Sequence, residues 1–274
     1  MNPAVISTSS CHSPPTSFPG QKGGLSPVDS YEKSLVGDVG GVLIARNLNK
    51  FNKSSQEKIR DASNIARYWL DGAMSVLSSR EAQAPHLGRF NSKERRAEKK
   101  TLFQLYTGLN NLTDGSYNLF SLSKDPFAAK NSQIVARVDK SDPYGRIFLN
   151  SSAIEQRSAQ ELAVTILHEL SHVICDTMDY FYVNWPEDDI YHAAKNFVDK
   201  LNSRNLIELQ NDPDFALSRE TFESSLNGAG CQFSSYAEIE KAWITERQIV
   251  LLSTADYVVA RAMFLAAHDS IPDY

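Results

Sequence analysis

The clearest pattern in the first half of the chain is a stripe of apolar residues at helical spacing. Ile59, Ala62, Ala66, Trp69, Ala73 and Val76 recur at intervals of three and four, which predicts an amphipathic helix over 54–77. Ser54 with Glu57 three residues on fits a capping box at its start. A second helix is expected where the mixed charges of 93–100 lead into Leu102, Leu105, Tyr106 and Leu109. The period then changes. Short apolar runs at 134–138 and 147–149, separated by Asp142-Pro143-Tyr144-Gly145, read as two strands joined by a turn. Ser158 and Glu161 stand in capping-box register ahead of Leu162, Ile166, Leu170 and Val173, the stripe of another helix. Further helices are expected at 191–201, 237–252 and 256–267. With no internal repeat, the fold class expected is α+β, mostly helical with a small β-sheet.

Composition narrows the picture. The chain has 274 residues, 42% of them hydrophobic, enough for one sizeable core. Residues 1–35 are expected to form a disordered tail and 36–274 a single domain. Six serines, five prolines, no acidic residue and the single basic Lys22 fill the first 27 positions, a composition too poor in apolar groups to offset the entropy of ordering. A basic start and an apolar core of a Sec signal peptide are both missing there. The same composition resembles the N-termini of bacterial type III secreted effectors, which implies secretion into a host cell; a cytoplasmic protein is the alternative.

The formal net charge of −5 offers no basic field for phosphate, so no nucleic-acid partner is expected. No uncharged apolar run approaches the roughly 20 residues of a membrane span. Cys11, Cys175 and Cys231 are odd in number and lack Cys-x-x-Cys spacing, against a disulfide framework or a zinc knuckle. Cys175 reads as a small core residue, and His86 and His192 as surface histidines.

The candidate chemistry lies in the capped helix. His168-Glu169-Leu170-Ser171-His172 sets two imidazoles four residues apart, one above the other on a helix, as half of a tetrahedral zinc site. Glu169, one residue along, can take a proton from a metal-activated water without ligating the metal. Catalytic zinc needs a third protein ligand. A metzincin continuation would demand Gly at 175 and His at 178, but Cys175 and Met178 stand there. Glu238, Glu240 and Glu246 are candidates on a later helix, as in gluzincins. Nearer at hand is Thr177-Met178-Asp179-Tyr180-Phe181-Tyr182.

His-Glu-x-x-His followed by Thr-x-Asp-Tyr-x-Tyr resembles the aspzincins, the deuterolysin and peptidyl-Lys metalloendopeptidase family. The likeness runs through the helix from Ser54, Ala136-Arg137-Val138, Ile147-Phe148-Leu149 and Ala255-Asp256-Tyr257, in the family's order. It implies a zincin-like metalloprotease fold and a zinc endopeptidase acting on a protein or peptide substrate, a host protein if the chain is an effector. By residue it implies one Zn2+ held by His168, His172 and Asp179, Glu169 as the base, Tyr182 as the phenol that supports the developing oxyanion, and Asp256 as a substrate-binding residue. This chain departs from the family's pattern in having Asp176 for the Gly before the Thr, Val183 for the Gly after the last Tyr, and Val259 where Lys-specific members carry a Glu.

Overall fold

A computed structural model describes residues 43–46, 48–79, 91–113, 119–122, 135–138, 146–181, 183, 185–186, 189–212 and 233–269. The tail expected at 1–35, and with it the proposed secretion signal, lies outside these residues, as do His86, Cys11, Cys231 and the turn at 142–145.

The described chain is mostly helical. Four strands, β1 (Leu43–Arg46), β2 (Leu119–Leu122), β3 (Ala136–Val138) and β4 (Ile147–Asn150), form a sheet in the order β1-β2-β4-β3. β1 is antiparallel to β2, β2 parallel to β4, and β3 antiparallel to β4 with Arg137 opposite Phe148. The main-chain N–H of Asn150 donates to the carbonyl of Val135 at 2.8 Å. Because main-chain groups alternate in direction along a strand, those of Ala136 and Val138 then point away from β4. β3 is an edge strand whose far side pairs with no other strand among the described residues.

The helices are α1 (Lys53–Ser78), α2 (Ser92–Thr113), α3 (Ser151–Gln156), α4 (Ala159–Cys175), α5 (Ile190–Ser203), α6 (Leu206–Gln210), α7 (Tyr236–Thr245), α8 (Arg247–Leu252) and α9 (Ala255–Asp269). The cap of α1 lies two residues before the expected one. Asn52, not Ser54, is its N-cap, and the Asn52 side chain accepts from the N–H of Ser55 at 2.8 Å. Ser55 is consequently drawn into the buried face along with Ile59, Ala62, Ala66, Trp69, Ala73 and Val76. The single helix expected over 237–252 is two, because Glu246, at φ −144°, breaks the ladder between α7 and α8.

α1 is the organising element and packs against α9, α4 and α2. Its contact with α9 is close enough that Gly72 faces Ala266, where an added Cβ would lie 3.0 Å from the Ala266 Cα. α2 crosses α4 with equal intimacy at Gly108, opposite Ile174. α9 is buried on every side from Ala255 to Ala266, as a helix at the centre of a core should be. Its two buried charged residues both have partners. Arg261 Nε donates to Glu98 Oε1 of α2 at 2.6 Å with both side chains at most 2% exposed, and Asp256 is held in the manner described below.

Candidate metal centre

α4 begins with the capping box expected of it. The hydroxyl of Ser158 accepts from the Glu161 N–H at 3.2 Å, and the Glu161 carboxylate accepts from the Ser158 N–H at 2.8 Å. Arg157 adds an ion pair to Glu161 at 2.7 Å. Burial works against the Glu161 carboxylate, but these donors prevail and lower its pKa. Four turns on, the helix stops at Asp176, whose φ of 55° and ψ of 35° place it in the left-handed region. A short polar Asp is among the few residues other than glycine that take up this conformation readily.

The turn at Asp176 brings Thr177 back beside the helix. Its hydroxyl lies 2.7 Å from that of Ser171, and its carbonyl accepts from His172 Nδ1 at 2.9 Å. A carbonyl can only accept, so the His172 proton sits on Nδ1 and its Nε2 lone pair is free to point elsewhere. His168 Nδ1 is engaged in parallel by Asp256 Oδ1 at 2.7 Å.

Both Nε2 atoms converge on Asp179. His168 Nε2 lies 3.1 Å from His172 Nε2 and 3.1 Å from Asp179 Oδ1, and His172 Nε2 lies 3.2 Å from that same oxygen. The three donor atoms form a nearly equilateral triangle. Four donors set tetrahedrally at about 2.0 Å from a zinc ion stand about 3.3 Å apart, so this triangle matches one face of such a shell. Asp179 Oδ1 is buried and has only the two imidazole Nε2 atoms beside it, a grouping that a proton on His168 or a bound cation would neutralise. Two imidazoles and a carboxylate are donors that a divalent transition metal accepts, Zn2+ and Fe2+ among them. Burial disfavours charge on His168, yet Asp256 and Asp179 outweigh it and raise its pKa well above the ordinary value. Burial likewise opposes ionised Asp179, and the two histidines reverse that and hold its carboxyl far below the usual range.

Glu169 is buried at the side of this triangle. Burial raises its carboxyl pKa; the charges of His168 and His172 and a hydrogen bond from the Val138 N–H pull the other way without cancelling the rise. The edge strand β3 is therefore seated directly against the carboxylate. The Asp179 side chain is 31% exposed and that of His168 15%, whereas His172 is 8%, so solvent reaches the cluster from the Asp179 side.

Among the described residues, His168, His172 and Asp179 are the group of three that could hold a metal; Glu238, Glu240 and Glu246 do not join the histidines. Glu238 instead caps its own helix against Ser234 and Ser235. Tyr182 lies outside the described residues. Asp256 is present at the site, but in a position the sequence did not indicate. It is 3% exposed and lies behind His168, with Oδ1 on that ring and Oδ2 accepting from the Val183 N–H at 2.8 Å. Asp256, expected as a substrate-binding residue, is buried behind the ring and accepts one bond on each oxygen. Comparisons with protein-family models, curated proteins and solved structures find no match for this chain.

Proposed function

We propose that the protein is a zinc-dependent endopeptidase of aspzincin type, built on a zincin-like metalloprotease fold. The observation that carries the reading is the triangle of His168 Nε2, His172 Nε2 and Asp179 Oδ1, with sides of 3.1 to 3.2 Å, placed beside a buried glutamate. A Zn2+ held there would supply Lewis acidity toward a carbonyl and lower the pKa of water to about 7.

The chain's own groups would do the rest. Glu169, its pKa raised by burial, accepts the proton of the attacking water and passes it to the leaving amine. Leaving that task to a buried carboxyl keeps its basicity closer to working pH than an exposed glutamate would. Tyr182, three residues beyond Asp179, is proposed as the phenol that donates to the developing oxyanion. The edge of β3, which pairs with no further strand among the described residues, gives a reason to favour a peptide as substrate. The Val138 N–H of that edge already meets Glu169, so an extended segment laid along β3 would come close to the proposed base. The Ser/Pro-rich start supports delivery into a host cell, with a host protein as the target.

The test is cleavage of a panel of unfolded and folded proteins by the full-length chain, before and after chelation and with zinc restored. Loss on chelation, recovery with zinc, and a fall of about 10²- to 10⁴-fold in Glu169→Gln with zinc still bound are expected. Turnover that survives in Glu169→Gln would contradict the assignment of the base. Absence of cleavage by zinc-loaded wild type would contradict the peptidase reading.

A further inference from the structure

Asp256 does two things at once, and both concern the ligands. Its Oδ1 takes the Nδ1 proton of His168 at 2.7 Å, and its Oδ2 takes the N–H of Val183 at 2.8 Å. Val183 closes the segment that begins at Met178. The other end of that segment is tied to the same place, because the Met178 N–H donates to the Ser253 carbonyl at 2.8 Å and the Ala255 N–H to the Met178 carbonyl at 3.1 Å. Asp179 therefore sits in a loop fastened at both ends to the start of α9. α9 in turn is fixed by burial along its length and by the Arg261–Glu98 pair.

We propose that Asp256 is a positioning residue: it sets the tautomer and direction of His168, secures the Val183 end of the loop that carries Asp179, and takes no part in selecting a substrate side chain. The inference builds on the proposed metal centre and departs from the specificity role that the family likeness implies. A pocket acid needs an oxygen open to the substrate, and Asp256 is 3% exposed with both oxygens engaged. A lysine would have to reach it through the packing that leaves Asp256 almost without exposed surface. The two histidines also differ in a telling way. His172 rests on a neutral carbonyl, whereas His168 alone receives a carboxylate, which makes its Nε2 the stronger donor.

The experiment uses full-length wild type and Asp256→Asn, a variant of nearly the same shape in which one amide cannot accept from both donors. Imidazole nitrogen and proton NMR should show, in wild type, a far-downfield His168 Nδ1–H and a slowly exchanging Val183 amide. In Asp256→Asn the His168 signal should move upfield and the Val183 amide exchange faster, while the His172 Nδ1–H stays put as an internal control. Zinc affinity, measured by competition with a chromophoric chelator, should fall about 10- to 100-fold. Among whatever bonds the wild type cleaves, the residue preference on either side should be unchanged. An ordinary His168 Nδ1–H in wild type, unchanged zinc affinity in Asp256→Asn, or loss of a preference for basic residues with zinc affinity intact would each overturn the assignment. The NMR arm needs neither zinc nor turnover, so failure of the peptidase reading would leave this inference standing, and the reverse holds as well.

Discussion

His172 and Asp176 are linked through the residue after them: the left-handed turn at Asp176 is what lets the Thr177 carbonyl accept from His172 Nδ1. Ending the helix and orienting a ligand are thus one piece of geometry. Asp176→Gly should keep the turn and change stability by less than about 1 kcal/mol. Asp176→Val, β-branched at φ 55°, should cost about 1–3 kcal/mol and weaken zinc binding as the Thr177 carbonyl shifts. Denaturant midpoints together with zinc competition check both. A Val variant as stable and as zinc-avid as wild type would contradict the link.

At the other end of α4, Ser158→Ala should cost about 1 kcal/mol through the lost cap. Glu161 adds a pH dependence whose sign is set by its lowered pKa in the folded state. A depressed carboxyl contributes stability above its unfolded pKa of about 4.3, and that contribution disappears as pH falls through the lower folded value. Melting temperatures of wild type and Glu161→Gln should differ at pH 7 and converge toward pH 3.

Two glycines set the distances between helices. At Gly72 an added Cβ meets the Ala266 main chain, which cannot yield without moving α9 and Asp256 with it. At Gly108 the obstacle is the end of the Ile174 side chain, 1.8 Å away, with Leu170 close behind. Each Gly→Ala should cost about 1–3 kcal/mol by overpacking. Only the second should be relieved by shortening its neighbour. Gly108→Ala with Ile174→Val should be more stable than the sum of the single changes, as thermal unfolding would record.

The Glu98–Arg261 pair is buried on both sides, and burial pushes the phenol of nearby Tyr257 up to about 12. Removing one partner strands the other charge, so Glu98→Ala or Arg261→Ala should cost about 3–5 kcal/mol. Replacing both by apolar groups, Glu98→Leu with Arg261→Met, should cost far less, because the pair's attraction is largely offset by its desolvation. Urea denaturation of the three variants makes the comparison.

Local signals in the sequence reached far in this protein. The stripe from Ile59 to Val76, the Ser158–Glu161 box and the four-residue spacing of His168 and His172 each depend on residues within a few turns, and all appear in the structure. The cap of α1 moved from Ser54 to Asn52 because either residue can accept, and the choice falls to the face that the fold buries. The break at Glu246 was hidden because an apolar pattern runs across both α7 and α8. β1 and β2, four residues each, are too short to show a period, and the long sequence gap between β2 and β4 conceals their parallel pairing. Asp179 is indicated in the sequence only through the resemblance of Thr177-Met178-Asp179-Tyr180-Phe181-Tyr182 to a family pattern. The place of Asp256 was not legible: it lies 88 residues from His168 and meets it only once α9 enters the core.

The proposed chemistry requires a cation at the point where His168 Nε2, His172 Nε2 and Asp179 Oδ1 converge. The most direct measurement is zinc titration of the folded, metal-stripped full-length chain by calorimetry, with Asp179→Ala alongside. One zinc per chain in wild type is expected, with affinity reduced at least about tenfold in the variant. No binding by wild type, or binding that is indifferent to Asp179, would contradict it.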